Sequence, residues 1–134
     1  MPSGASTSSG PGRVLVAVYA VLALSATARA LVQLVGKGDQ APVAYTLSLV
    51  AGLVYLVATV ALARGNAPWR RIAWATISVE LFGVLAVGLL SFVDADLFPD
   101  DTVWSRFGQG YGFVPLVLPV LGLLWLRRTA PMTR

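Results

Sequence analysis

The sequence predicts an all-α fold: a membrane-embedded bundle of four transmembrane helices. Three observations carry this. Hydrophobic residues make up 57% of the chain and charged residues only 12%, whereas a soluble domain carries about 25% charge to cover its wet surface. The mean hydropathy is +0.76. The apolar residues are also gathered into four long runs, and the stretches between them hold most of the charge. A bilayer tolerates no unpaired backbone, so such runs are helices unless they alternate like barrel strands. These do not alternate.

Taken in order, residues 1–12, MPSGASTSSGPG, are small, polar and rich in breakers, as expected of a disordered N-terminal tail. The transmembrane domain is expected over 13–128, with helices at about 14–35, 42–63, 72–93 and 108–126, and a cytoplasmic tail at 129–134. The first three runs hold about 22 residues each, against the roughly 20 that a crossing needs. The fourth run, 112–126, reaches crossing length only if 107–111 joins it. A rival reading makes the first run a signal peptide, with Arg13 before an apolar core and Ala28-Arg29-Ala30 as an A-x-A cleavage pattern. The apolar run continues past it to Val35, and an arginine inside the pattern suits cleavage poorly, so the run is read as a retained helix.

Short loops rich in Lys and Arg stay on the cytoplasmic side. That rule puts Arg13, Arg64, Arg70, Arg71, Arg127, Arg128 and Arg134 inside, and Lys37 and Arg106 outside. Both termini are therefore expected in the cytoplasm, with the chain multi-pass in a bacterial inner membrane. Trp69, Trp74, Trp104 and Trp125 fall near the expected interfaces, where aromatic belts form. The net charge of +4 comes from residues that flank apolar runs and form no patch with interleaved aromatics, which argues against nucleic acid. There is no cysteine and no histidine. Thiol chemistry, zinc–thiolate sites, haem ligation by histidine and histidine acid–base catalysis are thereby excluded, and neither a cofactor nor an enzymatic activity is expected. The strong preference for Arg over Lys, with abundant Ala, Val and Gly, fits a high-GC bacterial source.

The stretch TISVELFGV raises the functional question, because it sets Glu80 inside an otherwise uncharged run. An ionisable group within a membrane is a functional candidate by default. Arg29 is the other. Counted along the expected helices, Glu80 lies about 13 Å and Arg29 about 22 Å above the inner boundary. Neither is expected to face lipid. Both satisfied inside the bundle and fixing helix register is the blander alternative to a functional role. On the second run, Tyr45, Ser48, Gly52, Tyr55 and Thr59 share one face. Tyr55 falls at about 10 Å, near Glu80, and Ser48 at about 21 Å, near Arg29. Ser25, Arg29 and Gln33 share a face on the first run, and Thr76, Glu80 and Gly83 on the third. The expected intramembrane polar cluster is therefore Glu80, Tyr55, Arg29, Ser48 and Thr76, with Tyr55 as the main hydrogen-bond partner of Glu80 and Arg29 as the second.

Other motifs are weaker. GQGYGF, Gly108 to Phe113, contains GYG but lacks the preceding Thr-Val and the pore helix of a potassium filter. It follows no βα unit that would make it a phosphate loop. It is read as a flexible re-entry into the fourth helix, with Gly108 and Gly112 as a GxxxG contact. Pro115 and Pro119 can kink that helix. Asp94, Asp96, Asp100 and Asp101 form an acidic outer loop without the spacing or glycine of an EF-hand, read as solvated.

The C-terminal third, DDTVWSRFGQGYGFVPLVLPVLGLLWLRR, together with SVELFGVLAVGLLSF, resembles small four-helix integral membrane proteins of high-GC bacteria. The resemblance spans most of residues 14–128 and implies the bundle, but it carries no activity and no site residues. Small multidrug transporters share four helices and one membrane glutamate, yet theirs lies in the first helix and this one in the third. Two functions follow. One is a non-catalytic accessory, assembly or scaffold component in the lipid bilayer, meeting a protein partner or a second copy through its membrane helices. The other is a small oligomeric, proton-coupled carrier that uses Glu80.

Overall fold

The computed structural model describes residues 10–37, 39–94, 96 and 102–129. Among them run four α-helices: α1 (Pro11–Lys37), α2 (Pro42–Arg64), α3 (Ala67–Val93) and α4 (Val114–Arg128). A 3₁₀ segment, Ser105–Tyr111, precedes α4. α1, α2 and α3 are long and apolar enough to cross a membrane. Proline stands in the first turn of α2, α3 and α4, where its missing N–H is one the helix leaves unpaired anyway. The α2–α3 turn is tight because Gly65 takes the left-handed conformation, φ 72°, and returns its N–H to the Ala61 carbonyl at 3.0 Å. The Arg64 guanidinium stacks over the Trp69 ring across this turn, 5.8 Å from its centre.

The fourth helix departs from expectation. A continuous helix over 108–126 does not form. α4 has 15 residues, about 22 Å of rise, and the 3₁₀ segment meets it at 98°. The chain bends because Arg106, Phe107 and Gly108 are left-handed, and so are Gly112 and Phe113. No right-handed helix passes through these residues, so Gly108 and Gly112 are turn glycines and not the expected GxxxG contact. Pro115 occupies the first turn of α4 and abuts Gly108, where a side chain would meet its ring at 2.7 Å. Pro119 lies inside α4 and is buried.

The helices carry large apolar side chains on their outer faces as well as in the core, and several polar groups lie inside. Val21, Leu24, Val32, Phe82, Phe92 and Leu124 are exposed, while Glu80, Ser48, Ser91 and Ser105 are buried. A soluble fold of this size would bury the first set and hydrate the second. With hydrocarbon as the surrounding medium the arrangement is the stable one, since polar groups find their partners only inside. Helix packing relies on small residues. The Ala23–Ala26–Ala30 stripe of α1 is fully buried, and Gly52 of α2 lies directly against Thr27 of α1. On α3, Gly83 and Gly88 receive the rings of Trp104 and Phe107.

The stretch that follows α3 therefore folds back beside it. Gly83 lies ten residues before the end of α3, so Trp104 reaches about 15 Å below that end. Trp104 is 4% exposed and is a core residue, not the interfacial belt residue expected. Asp94 and Asp96 are exposed, whereas Asp100 and Asp101 lie outside the described residues.

Candidate functional site

Four helices meet at Tyr19, Tyr55, Glu80 and Gly122. Glu80 projects from the buried face of α3 and has no exposed surface. The Tyr19 hydroxyl of α1 donates to its Oε1 at 2.5 Å, while Oε2 has no hydrogen-bond partner among the described residues. Gly122 of α4 makes room for that hydroxyl, since a Cβ there would stand 3.3 Å from it. The Tyr19 and Tyr55 rings lie 6.4 Å apart at 54°. Tyr55 in turn accepts the Trp104 indole N–H at 2.6 Å, their rings edge-to-face. The chain of contacts runs Glu80–Tyr19–Tyr55–Trp104, through the centre of the bundle and into the re-entering segment.

A second polar layer holds that segment, where its backbone leaves regular structure. A buried N–H without a partner costs about 1–3 kcal/mol, and here those from Thr102 to Phe107 are matched. Val103 N–H donates to Ser48 Oγ at 3.2 Å and Arg106 N–H to Ser91 Oγ at 2.8 Å. Thr102 N–H donates to Ser105 Oγ and Trp104 N–H to Thr102 Oγ1. Ser105 and Phe107 return theirs to the carbonyls of Thr102 and Trp104. Irregular backbone is tolerated inside a bundle where protein partners its polar groups in this way.

At the opposite end, Arg70 of α3 closes the C-terminus of α4. It donates to the Leu126 carbonyl at 2.6 Å and to Thr129 Oγ1 at 3.2 Å. A cation on the last carbonyls of a helix also complements its dipole.

Of the five expected cluster residues, Glu80 and Tyr55 share the central site. The hydrogen bond to Glu80, however, comes from Tyr19 and not from Tyr55, whose phenol is engaged by Trp104. Ser48 is buried but serves the re-entering backbone. Thr76 bonds to carbonyls of its own helix, at Ile72 and Ala73, as membrane threonines commonly do. Arg29 is exposed on α1 and is no partner of Glu80. The buried stripe of α1 is its alanine face, and Arg29 lies off it. Eight residues from Lys37, it is about 12 Å from the helix end, within reach of the interface for a side chain that snorkels. Gln33 is buried, unlike Ser25 on the face they were expected to share.

Tyr19 and Ser91 were not anticipated. Tyr19 continues the Ala23–Ala26–Ala30 stripe at helical spacing, and that run of small residues was the available signal. For Ser91 no signal existed without the bend. No family model, curated protein or solved structure matches the chain, so its site stands on this geometry alone.

Proposed function

We propose that this is a multi-pass bacterial inner-membrane protein that crosses four times, with α4 and the bent segment before it forming the fourth crossing and both termini in the cytoplasm. Its function is that of a non-catalytic accessory, assembly or scaffold component. The observation that carries this is the pairing of interior polar groups across helices: Tyr19 with Glu80, Tyr55 with Trp104, Ser48 with Val103 and Ser91 with Arg106. Such bonds lock register between helices and use up the side chains a transported solute would otherwise contact. The apolar outer surface is left for lipid and for the helices of a partner. Purification in mild detergent should bring down a stoichiometric membrane partner. Purification as a lone homo-oligomer that moves protons would refute the reading.

One observation favours the carrier instead: Glu80 Oε2 is left without a hydrogen-bond partner. Reconstitution into proteoliposomes under an imposed pH gradient separates the two. A carrier would dissipate the gradient and lose that ability in Glu80→Gln, whereas a scaffold would hold the gradient in both forms.

A further inference from the structure

The bundle is least closed along the seam between its first and last helices, where α1 and α4 touch only sparsely. A groove of about 600 Å³ opens there, walled by Leu15 and Val18 of α1 and by Val117, Leu121 and Trp125 of α4. Arg128 lines one end and, among the described residues, is the single charged one in the lining. Pro11, the first residue of α1, lines the same groove.

Resting on the four-crossing reading above, we propose that this seam holds one anionic phospholipid, with its phosphate on Arg128 and an acyl chain along Leu15, Val18 and Leu121. Length argues for a lipid over a helix. The α1 wall, Pro11 to Val18, rises about 10 Å and the α4 wall, Val114 to Arg128, about 21 Å. The two lengths bracket the depth of one leaflet, about 15 Å, half of a core of about 30 Å. A second copy's crossing helix would be supported over only part of its length. Charge argues for an anionic headgroup. Arg128 forms no ion pair among the described residues, and Arg70, not Arg128, holds the α4 carbonyls. Among the described residues, no acidic side chain lines the groove to repel a phosphate.

The test is native mass spectrometry of the full chain in detergent, with phosphatidylglycerol and phosphatidylcholine of identical chains added in equal amounts. One phosphatidylglycerol should be retained in preference. Arg128→Gln should cut that preference about fivefold, as expected for one arginine at an anionic surface. Arg127→Gln, an exposed neighbour outside the groove lining, should leave it nearly unchanged. Leu121→Trp should fill the groove and abolish retention of either lipid. Equal retention of both lipids would overturn the proposal, and so would a preference that survives Arg128→Gln. Loss of a dimer in Leu121→Trp would assign the groove to a second copy. Retention that appears only after residues 2–9 are deleted would assign it to the chain's own N-terminus. If Leu121→Trp does not fold, the Arg128→Gln comparison decides alone. Failure of the topology itself would show separately, in cysteine accessibility.

Discussion

Glu80 and Tyr19 are joined by one fully buried bond, so substitutions at Glu80 should differ sharply in cost. Glu80→Gln keeps an acceptor for the tyrosine and should fold almost as the parent does. Glu80→Leu leaves the Tyr19 hydroxyl without an acceptor and should lower stability by about 1–3 kcal/mol, measured as thermal unfolding in detergent. Tyr55→Phe should cost a similar amount by stranding the Trp104 indole N–H, with a shift in tryptophan fluorescence that Tyr19→Phe need not produce. Equal stability of Glu80→Leu and Glu80→Gln would show that the bond is unimportant. Tyr55 was legible in the sequence because it continues a row of polar and small residues at spacings of three and four. Tyr19 does not stand out in the sequence because Ser25, Arg29 and Gln33 are more polar. In a membrane helix the interface is marked by smallness more than by polarity, and alanines mark it on α1. The same rise per residue puts Tyr19 about 7.5 Å above the inner boundary, within a phenol's reach of Glu80.

Among the elements, the segment between α3 and α4 bears the most constraint. A Cβ on Gly83 would come within 2.6 Å of the Trp104 ring, and one on Gly88 would collide with Phe107. Gly83→Ala should therefore destabilise by about 1–3 kcal/mol through overpacking, while Gly36→Ala, in open space, should not. Ser48→Ala and Ser91→Ala each orphan one backbone N–H, and each should cost about 1–3 kcal/mol. The existence of the first three helices was legible because apolar length alone decides it. The bend was not, because a run of apolar residues says nothing about φ. Arg106, Phe107 and Phe113 adopt positive φ, which L-residues avoid; the Gly88 notch holds Phe107 there and the bond to Ser91 holds Arg106. Only Gly108 and Gly112 hinted at a turn, and the same spacing suits a helix contact.

For the molecule as a whole, orientation is the testable quantity. Asp39 and Asn66 are exposed in the turns at opposite ends of α2. A membrane-impermeant thiol reagent applied outside cells should modify Asp39→Cys and spare Asn66→Cys. The opposite pattern would invert the proposed topology. Ser105 makes a poor probe because it is buried and hydrogen-bonded. The all-helical class and the three apolar helices long enough to cross a membrane were legible because they depend on composition and run length, quantities summed over many residues. Which residues meet at the centre depends on single rotations of about 100° per residue along α1, and there a sum carries no information.

The re-entering segment also has a bearing on synthesis. Two of the hydroxyls that receive its N–H groups, Ser48 and Ser91, belong to helices made before it. So do Tyr55 and the glycine notch at Gly83. The stretch from Thr102 to Phe107 therefore has no complete set of partners until α2 and α3 lie side by side in the bilayer. It is a keystone, set last. A chain stalled after Val93 would lack the partners that Ser48, Tyr55 and Ser91 find in that stretch.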